Sequence, residues 1–153
     1  MVPDAGGRTE APTPEQLTEQ IAASLRSHAG DVICAYFFGS RRTGQAGPLG
    51  DLDVAVLLDE AFNPGRQTAA AAAIVEALES CTGLRTDLTI LNDAPPALAH
   101  RAVREGRLVL VRDERRRVAF ETRAIRESLD FQPVLDRFDR VLFDRAREGR
   151  LGS

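Results

Sequence analysis

Apolar and polar positions alternate along this chain in segments short enough to be read one at a time. Leu17, Ile21 and Leu25 recur at four-residue steps, which places them on one stripe of a helix. That helix opens on a capping box: Thr13 offers a cap hydroxyl, Pro14 takes the first helical position and Gln16 stands three residues after the cap. It ends near Gly30. Val32 to Phe38 is then a nearly unbroken apolar run with β-branched and aromatic residues, as expected of a buried central strand. Leu52 to Leu58 is a second such run, entered through a Gly47-Pro48 turn and closed by Asp59-Glu60. The glycines between the two strands leave room for only a short helix.

Gln67 to Cys81 is alanine-rich and predicts a helix, since Ala is the best helix former. Leu84 to Leu91 predicts a third strand, with Asp87, Thr89 and Leu91 on one face and Leu88 and Ile90 on the other. Pro95-Pro96 opens a helix whose inner face is Leu98, Ala102 and Val103, and Leu108 to Val111 is a short fourth strand. From Asp113 the pattern is helical and densely charged, with an interruption at Pro133 that divides it into two helices. The second carries Val134, Leu135, Phe138, Val141, Leu142 and Phe143, so it must cover the sheet or be covered by another chain. Residues 1–12 are small, polar and broken by Gly and Pro, which predicts a disordered tail ahead of a single domain spanning 13–148. The fold class expected is α/β: a small mixed β-sheet flanked by helices.

The chemistry lies between the first two strands, where Phe37 to Leu58 reads FFGSRRTGQAGPLGDLDVAVLL. In an extended strand Asp51 and Asp53 share one face, and Leu52, Val54 and Val56 point the other way. Two neighbouring carboxylates repel unless a cation sits between them, and Mg²⁺ is commonly held by one or two carboxylates together with substrate phosphates. Gly39 lets a backbone approach a phosphate closely, Ser40 can donate a hydroxyl, and a helix starting at about Arg41 would offer free N–H groups to an anion. Arg41 and Arg42 add positive charge at the same place.

Gly39-Ser40, ten residues and then Asp51-x-Asp53 resembles the signature of the minimal nucleotidyltransferases, the MNT family of the polymerase β-like superfamily. The similarity runs from about Val32 through Asp113 and includes the segment from Ala94 to Leu108. One departure is Gly50, where such sequences often have Ser. The resemblance implies transfer of a nucleoside monophosphate from an NTP to a hydroxyl. It implies Mg²⁺ held by Asp51 and Asp53, with Asp87 as a third carboxylate that activates the acceptor or binds metal. Gly39, Ser40, Arg41 and Arg42 would bind the nucleotide. Small MNT proteins of this kind are typically antitoxins that attach AMP, from ATP, to a tyrosine of a HEPN-domain RNase toxin. A small-molecule hydroxyl as acceptor and inhibition by contact alone are the alternatives.

Composition adjusts this picture in three ways. With 153 residues the chain has room for one domain but no large second substrate domain, which favours an acceptor supplied by another protein. The net charge of −3 gives no electrostatic case for nucleic-acid binding, although all 20 basic residues are Arg, a uniformity that reads as composition bias. Cys34 and Cys81 match no zinc spacing and read as structural, and no apolar stretch is long enough for a membrane span, so a cytoplasmic location is expected. His100 and the Arg115-Arg116-Arg117 run read as surface features.

Overall fold

The capping box at Thr13 forms as the sequence requires: the Thr13 hydroxyl accepts from the Gln16 backbone N–H at 3.2 Å, and the Gln16 side-chain Oε1 accepts from the Thr13 N–H at 2.9 Å. It starts helix α1, Pro14–His28. The computed structural model describes residues 11–44, 50–59 and 64–147, with 131–147 as backbone alone. The tail before residue 11, the Gly47-Pro48 turn and the apolar side chains from Val134 to Phe143 therefore lie outside the described residues.

The elements that follow are β1 (Val32–Phe38), α2 (Ser40–Thr43), β2 (Leu52–Leu58), α3 (Pro64–Thr82), β3 (Thr86–Ile90), α4 (Pro96–Glu105), β4 (Arg107–Val111) and α5 (Glu114–Arg147). The strands form one mixed sheet in the order β3-β2-β1-β4. β1 runs antiparallel to both β2 and β4, and β2 pairs in parallel with β3 through the α3 crossover. The expected small mixed sheet with flanking helices is the architecture found.

Two apolar layers sandwich the sheet. On one face Leu17, Ile21 and Leu25 of α1 and Ile74 and Leu78 of α3 pack on Phe37, Val54 and Val56. On the other, Ala99 and Ala102 of α4 and Phe120 and Ala124 of α5 pack on Tyr36, Phe38, Ala55 and Leu57. β1 can supply both layers because every one of its residues is buried. α4 approaches through small residues: Ala99 and Ala102 are buried while Leu98 is only half-buried, so its inner face is set by close packing and not by the larger side chains. At its end a Cβ on Gly106 would lie 3.1 Å from Cβ of Tyr36.

Three sequence expectations are corrected. The third strand is Thr86–Ile90, because Leu91–Asp93 turns into a 3-10 helix where the Asn92 amide exchanges hydrogen bonds with both backbone groups of Leu58, at 2.8 and 2.9 Å. α3 begins at Pro64, three residues before the alanine-rich segment, a position where a proline costs no helical hydrogen bond. Pro133 does not end a helix: α5 runs unbroken from Glu114 to Arg147, since a proline removes one backbone bond and the pattern on both sides remains helical.

Polar anchors hold the layers together. The Tyr36 hydroxyl donates to Glu121 of α5 at 2.6 Å, and Arg117 donates to the same carboxylate at 2.7 Å while pairing with Glu114. Arg117 is thus turned towards the sheet, unlike its exposed neighbours Arg115 and Arg116. Burial raises the Tyr36 hydroxyl far above its ordinary range and pushes the Cys34 thiol up to about 11, so Cys34 is an inert core residue. Arg112 closes α1: its guanidinium donates to the carbonyls of Leu25 at 3.2 Å and Arg26 at 3.1 Å, and also to that of Ala29. A cation there satisfies the orphan carbonyls and opposes the negative end of the helix. Arg112→Ala should lower stability by about 1–3 kcal/mol, read as a lower urea midpoint with unchanged slope. An unchanged midpoint would contradict this role.

Candidate active site

Strand register assembles the carboxylates. Asp53 of β2 lies directly beside Phe38 of β1 on one side and Asp87 of β3 on the other. Paired positions share a face, and Ala55 and Leu57, which follow Asp53 at every second position and so share its face, belong to the layer under α4 and α5. Asp87 follows the same rule, since Leu88 and Ile90 pack on the opposite layer and Leu91 on this one. Phe38, Asp53 and Asp87 therefore form a row across the sheet on the α4 side. Asp51 precedes β2, is exposed, and is close enough for its charge to act on Asp53.

Gly39 completes the row. Its φ of +81° is a conformation that L side chains rarely adopt, and a Cβ there would fall 2.1 Å from Asp53 Oδ2. The chain thus leaves β1 with its backbone against the Asp53 carboxylate. Burial, the Asp87 charge and the Asp51 charge together raise the Asp53 carboxyl above the ordinary carboxylate range, while Arg101 pulls it back down. Such a group is half-buried among like charges and is stabilised as an anion by any cation placed beside it.

After Gly39 the chain makes the single helical turn α2, closed by Gly44 in the left-handed conformation. The two arginines of this turn separate. Arg41 is buried and its Nε donates to the Gly50 carbonyl at 2.9 Å, which braces the end of β1 against the start of β2. Arg42 is half-buried and faces a cavity of about 610 Å³ lined by Gly39, Ser40 and Arg42 on one side and by Arg101, Arg104 and Glu105 of α4 on the other. Its Nε is buried and has no hydrogen-bond partner among the described residues.

Arg101 and Arg104 are not among the candidates read from the sequence. Arg101 lies over the Phe38 ring at 5.7 Å from its centroid and pairs with Glu105 at 3.1 Å. The signal was an Arg spacing of three within a short helix, which in sequence is indistinguishable from a solvated face. Among the described residues, no group of three His, Cys, Asp or Glu side chains is gathered tightly enough to hold a metal ion by itself. No helix among them is long and apolar enough to cross a membrane.

Carboxylates in register under a glycine turn, beside a cationic cavity, make up this candidate site. The chain belongs to the polymerase beta nucleotidyltransferase family, whose model matches residues 19–115. No curated protein matches the chain. Solved structures share the fold at low identity. A toxin–antitoxin complex with AMP-PNP superimposes with a TM-score of 0.63 at 22% identity, covering 79% of this chain and 97% of that one. An MNT antitoxin complex with a tri-AMPylated HEPN toxin from Shewanella oneidensis gives 0.59 at 19% identity, covering 82% and 98%. A mutant MntA–HpeT toxin–antitoxin complex gives 0.64 at 20%, covering 79% and 97%.

Two substitutions probe this geometry. Gly39→Ala should cost about 1–3 kcal/mol of stability from backbone strain and displace the Asp53 carboxylate, with loss of nucleotide binding in a titration. Retained binding would show that the close approach is dispensable. Because the folded chain raises the Asp53 carboxyl, it binds that proton more tightly than the unfolded chain does. The associated stability is present at low pH and is lost as pH rises through the raised value. Asp53→Asn should therefore raise the melting temperature at neutral pH and lose this advantage at about pH 4, and a neutral-pH melt no higher than wild type would contradict it.

Proposed function

We propose that this nucleotidyltransferase is an antitoxin that moves AMP from ATP to a tyrosine hydroxyl of a HEPN-domain toxin. The observation that carries the reading is the register that sets Asp53 beside Asp87 under Gly39. The solved relatives with HEPN toxins and with AMP-PNP support the choice of partner and nucleotide.

The donor set fits Mg²⁺: hard carboxylate oxygens, one of them held protonation-prone by its neighbours, at a place where a nucleotide would supply the remaining oxygens. Asp51 and Asp53 would hold the ion, with Asp87 beside them. When bound, Mg²⁺ neutralises charge on the phosphates and makes the α-phosphorus more electrophilic.

The chain's own residues do the rest. Gly39 and Ser40 seat the phosphates at the cavity wall, where Arg42 also lines the cavity and adds positive charge. Arg41 holds the turn that presents them. Asp87 is exposed on β3 and accepts the proton of the incoming tyrosine hydroxyl. The phenolic oxygen then bonds to the α-phosphorus, the bond from that phosphorus to the bridging oxygen breaks, and pyrophosphate leaves. The exposure of Asp51 and Asp87 leaves the acceptor side open to a second protein.

The test is to incubate the protein with ATP, Mg²⁺ and the product of the adjacent gene and to weigh both chains by mass spectrometry. One or more AMP-sized increments should appear on the partner, and Asp53→Ala should reduce the rate at least about a hundred-fold. Inhibition of the partner without an increment would replace this reading with a binding-only antitoxin, and transfer only to small hydroxyl compounds would replace the partner.

A further inference from the structure

β3 is an edge of the sheet: it pairs with β2 on one side and, among the described residues, with no strand on the other. Backbone groups of successive residues in a strand face opposite neighbours, so the bonds made at the start of β3 fix the direction of the rest. The Arg85 carbonyl accepts from the Leu52 N–H at 2.8 Å, which turns the backbone groups of Arg85, Asp87 and Thr89 towards β2. The Thr86 N–H instead donates to the Glu79 carboxylate of α3 at 3.0 Å, which turns those of Thr86, Leu88 and Ile90 outward. Glu79 thus caps the first outward donor, and the open edge begins at the Leu88 N–H.

This edge is also the one that carries a site residue. Asp87 is exposed, lies beside Asp53 and faces the α4 side of the sheet. The other edge, β4, is separated from Asp53 by β1. A strand added beside β3 would set one of its residues next to Asp87 on the same face, with Cβ atoms about 5 Å apart.

We infer that the open edge of β3 takes an extended segment of the partner protein as a fifth strand, and that the residue paired with Asp87 carries the acceptor hydroxyl. The inference rests on the proposed transfer and adds the conformation of its acceptor. Main-chain bonds to Leu88 hold the segment whatever its side chains are, while Asp87 meets only the hydroxyl. A hydroxyl within a helix is not accepted this way, because the backbone groups around it are used inside the helix.

Leu88→Pro removes the outward N–H, a change an edge strand tolerates, and Leu88→Ala keeps that N–H while giving up the same side chain. With the product of the adjacent gene as acceptor, Leu88→Pro should slow AMP transfer at least about ten-fold at unchanged ATP affinity, and Leu88→Ala should stay within about two-fold of wild type. Equal losses in the two variants would overturn the strand addition. Amide exchange in the wild type reads the edge without a variant and without ATP. Saturating partner should slow the Leu88 and Ile90 amides at least about ten-fold and leave Asp87 and Thr89, which face β2, nearly unchanged. Unaltered exchange at Leu88 would overturn the inference. If the outward amides slow but no AMP reaches the partner, the proposed transfer fails while the docking edge stands.

Discussion

Everything at the working end of this molecule depends on one unfavourable interaction: the crowding of Asp53 with Asp87 and Asp51 against the backbone of Gly39. Burial and like charge both disfavour the ionised form of Asp53. A fold retains such an arrangement at a cost to its own stability, and a cation placed beside the carboxylates would relieve that cost. The glycine is part of the same constraint, because any side chain at that position would occupy the space of the Asp53 carboxylate.

The remaining architecture isolates this polar row. One face of the sheet is sealed by α1 and α3 with apolar side chains, and Asp53 and Asp87 lie on the other face, under α4 and α5. Tyr36, Glu121 and Arg117 fasten α5 to the central strand, and Arg41 fastens the loop after β1 to the start of β2. α4 then closes over Phe38 through alanines, which brings Arg101 near enough for its charge to act on Asp53. Positive charge lines the rim and electrostatic stress lies at the centre.

Much of this was legible in the sequence, and the omissions have physical reasons. Continuous apolar runs declared β1 and β2, and counting by twos placed Asp87 on the correct face because its neighbours alternate cleanly between the two cores. Arg41 and Arg42 could not be separated, since a single helical turn sends one inward and leaves the other at a cavity. Arg101 was invisible as a site residue because its significance comes from Phe38, sixty-three positions away in the chain and adjacent only after α4 packs on the sheet. The third strand ended early through Asn92 bonding to Leu58, another long-range contact. Pro133 misled because a local helix breaker is tolerated when the pattern continues beyond it.

The central claim is that the carboxylate row accepts a nucleotide only together with a divalent cation. Titrating ATP into the wild-type protein with Mg²⁺ and again with a chelator measures this coupling directly. The arrangement predicts that ATP affinity falls at least about ten-fold when the cation is removed, since the triphosphate then meets unscreened carboxylates. Equal affinity with and without the cation would mean that the acids do not face the phosphates, and would contradict the account.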